Sequence, residues 1–348
     1  MRKHKLGDTV VQAKDLKKHF NLSGGIIAAL TGQPARVAKA LDGIDISIRS
    51  GEVVGLVGES GCGKSTLGMT LVRMHEPSAG DIQFKGESIT EIKGNELKSF
   101  RSKAQIIFQD PYSSLNPRLT IGEIVEEPLK IHRKGDPVSR REKVREALTH
   151  VRLPVEDYEH RYPADLSGGQ RQRVAIARAL VLDPEFIVAD EPVSMLDVSV
   201  QAGVLQILDE LSQDLGLAVL YISHDIATVG YICDKIAVMY LGRVVEMGAV
   251  QDVMRRPKHP YTQALMQAIP NTDPLVNRER VVLEGDVPSP IDTPRGCRFA
   301  SRCMHVDPLC EAQEPDLYLA ADDCAVRCHL FDLLAHRRPN SEGEQLAV

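Results

Sequence analysis

The sequence has no apolar run long enough to cross a bilayer. Its best stretches, such as Ala218 to Ile222, fall far short of the ~18 consecutive apolar residues of a spanning helix, so the chain is not expected to enter a membrane by itself. The N-terminal MRKHKLGDTVVQAKD is basic but lacks the apolar segment of ~7–15 residues that a secretory signal needs. The chain is therefore expected to stay in the cytoplasm, where cysteines remain reduced or bind metal. Positive charge is not in excess either: 42 Lys and Arg stand against 48 Asp and Glu, a net of −6. That balance supplies no general attraction to phosphate backbones, and no nucleic-acid partner is expected. Internal repeats, sustained heptads and CxxC pairs are also missing, which excludes solenoids, long coiled coils and the common zinc ribbons.

Apolar residues are plentiful. At 43% of 348 residues they can fill a sizeable core and leave no room for disorder in the bulk of the chain; the length fits two or three folded units of roughly 100–200 residues. From Leu41, Ile44, Ile46 and Ile48 alternate, Ser50-Gly51-Glu52 turns, and VVGLVG reads as a buried strand. A helix is predicted from Lys64, with Leu67, Leu71 and Met74 on one face, then a small strand over Asp81 to Gly86, a helical stretch around Asn95 to Arg101 and a strand over Ala104 to Gln109. Such alternation predicts an α/β fold with a parallel sheet.

Between Pro111 and Ala164 the apolar positions keep a helical period and no strand is evident, so a helical subdomain interrupts the sheet. The α/β pattern resumes with a helix over Gln170 to Leu182, a strand over Phe186 to Asp190, a helix over Val198 to Leu215, a strand over Leu217 to Ser223 and the pair DKIAVMYLG and RVVEMG. After a last helical stretch, His259 to Ile269, five prolines between Pro270 and Pro294 mark linker chemistry. The boundaries expected are 1–110 and 165–255 for the α/β core, 111–164 for the helical subdomain, 256–332 for a Pro- and Cys-rich extension and 333–348 for a disordered tail.

GESGCGKST, Gly58 to Thr66, follows a predicted strand and opens a predicted helix, the setting of a phosphate-binding loop. Gly58, Gly61 and Gly63 let the backbone curl so that the N–H groups around Ser60 and Thr66 turn inward, and the helix N-terminus adds partial positive charge. Lys64 supplies a cation for the β- and γ-phosphates, and the Ser65 hydroxyl suits Mg²⁺. Further on, Ser167, Gly168, Gly169 and Gln170 open the helix QRQRVAIARAL and offer a hydroxyl and backbone donors to an anion; taken alone, an ordinary N-cap reads the same way. FIVADEP ends a strand in Asp190, placed to hold Mg²⁺ through its water shell, and Glu191, placed to take a proton from water. In isolation two such acids could equally be solvated, and His224 in YISHD an ordinary polar residue.

In order and spacing, GESGCGKST, Gln109 in IIFQDPYSSLNP, LSGGQRQRVAIARAL, FIVADEP, SMLD and YISHD resemble the ATPase subunit of an ABC transporter over nearly the whole chain. More narrowly, the insertion between Phe20 and Leu41, DPYSSLNPRLTIGEIVEEPL, HPYTQAL and GDVPSPIDTPRGCRFASRC are similar to the F-type ATP-binding subunit of bacterial dipeptide and oligopeptide importers. The resemblance implies a P-loop ABC-type nucleotide-binding domain and, residue by residue, the following roles. Phe20 would stack on adenine, although a core aromatic reads the same way. Gln109 would reach Mg²⁺ and the attacking water, Glu191 would be the general base, and His224 would contact the γ-phosphate. Asp197 in SMLD would bridge two subunits, with Met195 replacing the small residue usual there. ATP would be held between the P-loop of one subunit and the SGGQ helix end of a homologous ATPase subunit, in a heterodimer. The partners implied are two transmembrane permease subunits, docked by the helical subdomain at the cytoplasmic face of the inner membrane, and through them an extracytoplasmic peptide-binding protein. Two rivals exist, a soluble ABC ATPase acting on nucleic acid or ribosomes and an exporter ATPase. The first commonly carries paired cassettes, a long coiled coil or a basic arm, which this chain lacks.

Five of the seven cysteines crowd the C-terminal region as C-x5-C-x6-C-x13-C-x3-C. Four thiolates could hold Zn²⁺ or an iron–sulfur cluster, or remain unliganded. The family's tail pattern maps onto Cys297, Cys303, Cys310 and Cys328 and implies a [4Fe–4S] cluster, with Cys324 extra. Cys62 and Cys233 read as packing residues.

Overall fold

The computed structural model describes residues 6–22, 36–268, 285, 288–291, 293–320 and 324–331. Most of the insertion after Phe20, most of the proline-rich linker and the tail expected to be disordered lie outside the described residues.

Two sheets form the body. Strands β1 (Thr9–Asn21), β2 (Val37–Arg49), β4 (Ala79–Phe84) and β5 (Glu87–Ser88) make an antiparallel sheet in the order β2-β1-β4-β5. The larger sheet has the order β11-β12-β10-β9-β3-β8-β7-β6. Here β3 (Val53–Val57), β6 (Ala104–Ile107), β7 (Phe186–Asp190), β8 (Ala218–Ile222) and β9 (Lys235–Tyr240) run parallel. β10 (Arg243–Ala249), β11 (Tyr318–Ala320) and β12 (Cys324–Val326) extend the sheet antiparallel.

Every residue of β3, β7 and β8 is buried, because both faces of the parallel sheet are covered. With successive side chains on opposite faces, Val53 and Val57 join the core under the helices, whereas Val54 and Leu56 join Ile44, Ile46 and Ile48 of the second sheet and Leu67 and Leu71 of the helix after β3. Cys62 and Cys233 are both buried in these cores.

Between Pro111 and Tyr158 lie four helices, Pro111–Ser114, Ile121–Ile131, Pro137–His150 and Val155–Tyr158, with no strand among the described residues. Their starts are written locally: Thr120 and Glu123 form a capping box, and Asp136 caps a helix whose first residue is Pro137.

Three details depart from the sequence reading. The helix opened by Lys64 ends at Leu71, Arg73 turns with φ +57, and Met74 is 48% exposed instead of facing the core. β1 was not anticipated: its pairing with β2 shifts register between Ala13 and Leu16, and Asp15 takes φ +44, so strict alternation is lost there. β11 and β12 were not anticipated either. The cysteine segment joins the main sheet through Glu246↔Val326 and Met247↔Ala325.

Candidate nucleotide site

The phosphate loop sits at the carboxyl end of β3, where the Lys64–Leu71 helix begins. Its glycines answer to local sterics. A Cβ on Gly58 would lie 2.1 Å from the Met239 carbonyl oxygen, and one on Gly63 (φ +107) 2.3 Å from that of Ala40; Gly61 has open space around it and needs glycine only for φ +79. Lys64 is buried, and its Nζ donates to the carbonyls of Gly58 at 2.7 Å and Glu59 at 3.0 Å, spanning the curl of the loop.

One cavity of about 430 Å³ is lined by Ala40, Ser60, Gly61, Gly63, Lys64, Ser65, Thr66, Gln109, Glu191, His224 and Pro290. The parallel sheet does the gathering: β3, β6, β7 and β8 end at the same edge, and the chain leaving each carries one contribution. Ser65 Oγ donates to Asp190 Oδ1 at 3.1 Å. Burial raises the Asp190 pKa, as does the charge of Glu191, against the Ser65 hydrogen bond. Glu191 takes φ +46, a conformation rare outside glycine, and its Oε2 accepts from Gln109 Nε2 at 2.9 Å and meets His224 Nδ1 at 3.0 Å. Gln109 Nε2 also reaches Ser194 Oγ at 3.4 Å. Two residues far apart in sequence, Gln109 and His224, thus share the carboxylate of Glu191.

Other predicted residues lie elsewhere. Ser167 caps the Gly168–Leu180 helix: its hydroxyl accepts from the Gln170 amide at 3.3 Å, while Gln170 Oε1 accepts from the Ser167 amide at 2.9 Å. Neither residue lines the cavity. The two glycines differ in kind. A Cβ on Gly169 would come within 2.2 Å of Val200, whereas one on Gly168 would meet only Leu196 at 3.5 Å. Close helix packing thus demands Gly169. Asp197 precedes the Val198–Leu215 helix, exposed and without a capping hydrogen bond from its side chain, between Met195 at 62% and Val198 at 82% exposure. Phe20 does not line the cavity; its ring meets His75 edge-on at 5.5 Å with Lys18 Nζ 4.9 Å away, and its β2 partner, Ala38, lies two residues from Ala40.

Sequence reasoning missed Ala40 and Pro290. The Lys39 amide donates to the Pro290 carbonyl at 2.9 Å, bringing the extension to the cavity wall, and no local pattern announces that contact.

A family model described as ABC transporter matches residues 41–194, and one described as oligopeptide/dipeptide transporter, C-terminal region, matches 245–310. The chain is 45% identical to the oligopeptide transport ATP-binding protein AppF of Bacillus subtilis, over 93% of this chain and 98% of that protein. The chain belongs to the ABC transporter family. It is also 46% identical to the dipeptide transport ATP-binding protein DppF of Escherichia coli, over 90% of this chain and 92% of that one. A solved ABC cassette, the dimeric post-hydrolysis state of MJ0796 bound to ADP and Pi, is 30% identical with a TM-score of 0.60, covering 69% of this chain and 98% of that one.

The four cysteines expected to hold a cluster lie near one another, but nothing else among the described residues supports the cluster itself. The Cys297 amide donates to the Cys310 carbonyl at 2.7 Å. Burial pushes the Cys328 thiol up to about 12, and Cys297, Cys303 and Cys310 add to the shift, so these four are electrostatic neighbours. Cys324 stands apart, its Sγ 3.8 Å from Glu246 Oε1. Among the described residues no group of three or more His, Cys, Asp or Glu side chains is arranged to hold a metal ion, so the structure lends the [4Fe–4S] expectation proximity but no ligand set. Nor, among the described residues, is any helix long and apolar enough to cross a membrane.

Proposed function

We propose that the chain is the ATP-binding and hydrolysing subunit of an ABC importer for dipeptides or oligopeptides. One observation carries the reading: Lys64 and Ser65 of the phosphate loop face Gln109, Glu191 and His224 across a single cavity. Identity to AppF and DppF, both named as peptide transport ATP-binding proteins, supports the cargo class.

In this reading Lys64 and the loop amides hold the phosphates, and Ser65 with the buried Asp190 would hold Mg²⁺, for which a hydroxyl and a carboxylate are suitable hard donors. The ion neutralises phosphate charge when bound. Glu191, oriented by Gln109 and His224, accepts the proton of the attacking water; His224 also stabilises the γ-phosphate, and Phe20 approaches the base from β1.

Ser167, Gly168 and Asp197 lie outside this cavity, which supports a composite site in which they serve the nucleotide of a homologous partner subunit; the dimeric MJ0796 cassette supports the same arrangement. Met195 and Val198 would lie at that seam. Charge-assisted hydrogen bonds of about 1.5–3 kcal/mol each would favour closure while the γ-phosphate is present, and hydrolysis would release it. The helices between Pro111 and Tyr158 would dock a permease subunit at the cytoplasmic face of the inner membrane, with two permeases and an external peptide-binding protein completing the complex. Turnover by an isolated monomer that is indifferent to Ser167→Ala would refute the composite site.

Cys297, Cys303, Cys310 and Cys328 would hold a [4Fe–4S] cluster. Their mutual proximity supports this, since a cluster of that kind is held by four thiolates close together. Iron and acid-labile sulfide in anaerobically purified protein test it; stoichiometric zinc in a colourless protein would overturn it.

A further inference from the structure

The phosphate loop contains an acid that the chemistry of the site does not use. Glu59 stands between Gly58 and Ser60, in a segment whose task is to attract a polyanion, and an uncompensated carboxylate there would repel the triphosphate it is meant to hold. The structure shows where that charge goes. Arg302 Nη1 donates to Glu59 Oε2 at 2.7 Å and Nη2 donates to Oε1 at 3.0 Å, a two-pronged fork from a side chain only 6% exposed.

The backbone of Glu59 is held as well. Its amide donates to the Tyr261 hydroxyl at 2.9 Å, and its carbonyl accepts from Lys64 Nζ at 3.0 Å. Tyr261 packs on Tyr240 with ring centroids 4.7 Å apart, and Phe299 closes on both at 5.4 and 5.3 Å. Arg302 Nη1 also reaches the Tyr240 hydroxyl at 3.4 Å. Tyr261, Phe299 and Arg302 all come after β10, and the Phe299–Arg302 turn lies between Cys297 and Cys303. The region that family comparison assigns to the oligopeptide/dipeptide transporter C-terminus therefore grips the loop that family comparison assigns to the ATP-binding cassette.

We propose that Arg302 is a positioning residue for ATP binding: by neutralising and pinning Glu59 it keeps the phosphate loop receptive to a triphosphate, so that the C-terminal extension sets nucleotide affinity. This rests on the reading that the loop binds ATP. A staple that merely attached the extension would lower thermal stability and leave the nucleotide KM alone. Neutralisation makes a sharper demand, because removing the acid must compensate for removing the base.

The test uses the full chain assembled with its partner subunits and titrates it with MgATP, alongside turnover and thermal melts without nucleotide. Arg302→Gln is expected to weaken ATP binding about tenfold, a loss of about 1.4 kcal/mol, with kcat at saturating ATP changed far less than KM. The double variant Glu59→Gln/Arg302→Gln is expected to bind ATP more tightly than Arg302→Gln alone. Where Arg302→Gln does not fold, Arg302→Met, which removes the charge and the fork but keeps the length of the buried apolar stem, and its double with Glu59→Gln carry the same comparison. Unchanged affinity in the single variant, or no recovery in the double, overturns the proposal. Lys64→Ala separates the two readings: a wild type that binds ATP through Lys64 keeps the nucleotide site whatever Arg302 does, and a wild type without affinity for ATP removes both.

Discussion

The Ser65 hydroxyl donates to Asp190 Oδ1 at 3.1 Å, tying the first turn of the helix after the phosphate loop to the end of β7. Asp190 is buried, and burial together with the Glu191 charge raises its pKa, so its charged form gains from a nearby cation. Asp190→Asn is accordingly expected to abolish the gain in ATP affinity that Mg²⁺ confers on the wild type. Titrations with and without Mg²⁺ check this; an unaltered metal dependence would remove Asp190 from that role.

Glu191→Gln keeps the size of the side chain and removes its basicity. The variant is expected to bind ATP and hydrolyse it about 10²–10⁴-fold more slowly, the usual worth of a positioned base. Phosphate release by assembled complexes measures it, and undiminished turnover refutes the assignment.

Gly63→Ala places a methyl 2.3 Å from the Ala40 carbonyl oxygen at a backbone with φ +107. The loop must shift away from β2, and ATP affinity is expected to fall, as is also expected of Lys64→Ala, while the circular dichroism of the two sheets is retained. Wild-type ATP titration curves for Gly63→Ala would show that the close approach is dispensable.

His259 gives the chain a pH-dependent stability. Its ring is fully buried, burial pushes its pKa down to about 3, and Nδ1 accepts from the Tyr261 amide at 3.0 Å. The unfolded chain, with a His pKa near the usual ~6.5, binds the proton that the folded chain refuses, so this contribution is complete above about pH 6.5 and is lost as pH falls toward 3. Glu246, which accepts from the Lys258 and His259 amides, has a pKa raised by burial and contributes with the opposite slope, losing its share as pH rises above the usual carboxylate value. His259→Asn keeps a capping acceptor and leaves Glu246 in place. Urea midpoints of the wild type are expected to drop more steeply than those of the variant below pH 6.5, and parallel curves would contradict the assignment.

Much of this molecule is legible locally. VVGLV, FIVA and AVLYI declare buried parallel strands because sheets covered on both faces are apolar almost throughout. GESGCGKST declares a phosphate loop because its left-handed turns at Gly61 and Gly63 and the helix opening at Lys64 are written within nine residues, although the close approaches that bar a Cβ at Gly58 and Gly63 come from Met239 and Ala40, far off in sequence. Less was visible where local pattern is broken or borrowed. The bulge at Asp15 hides β1, and β12 is a strand only because β10 offers it an edge, as β12 in turn does for β11.

The sequence by itself determined which residue types could serve ATP, since phosphate binding, proton transfer and close backbone approach each admit few side chains. Only the tertiary structure decided how they group. The ends of parallel strands brought Gln109, Glu191 and His224 together, sheet and helix packing left Ser167 and Asp197 outside that cavity, and the folding back of the extension set Arg302 against Glu59. The physical reason is one of range: hydrogen bonds and ion pairs act over a few ångströms, whereas the residues they join here lie tens to hundreds of positions apart, and chain topology alone closes that distance.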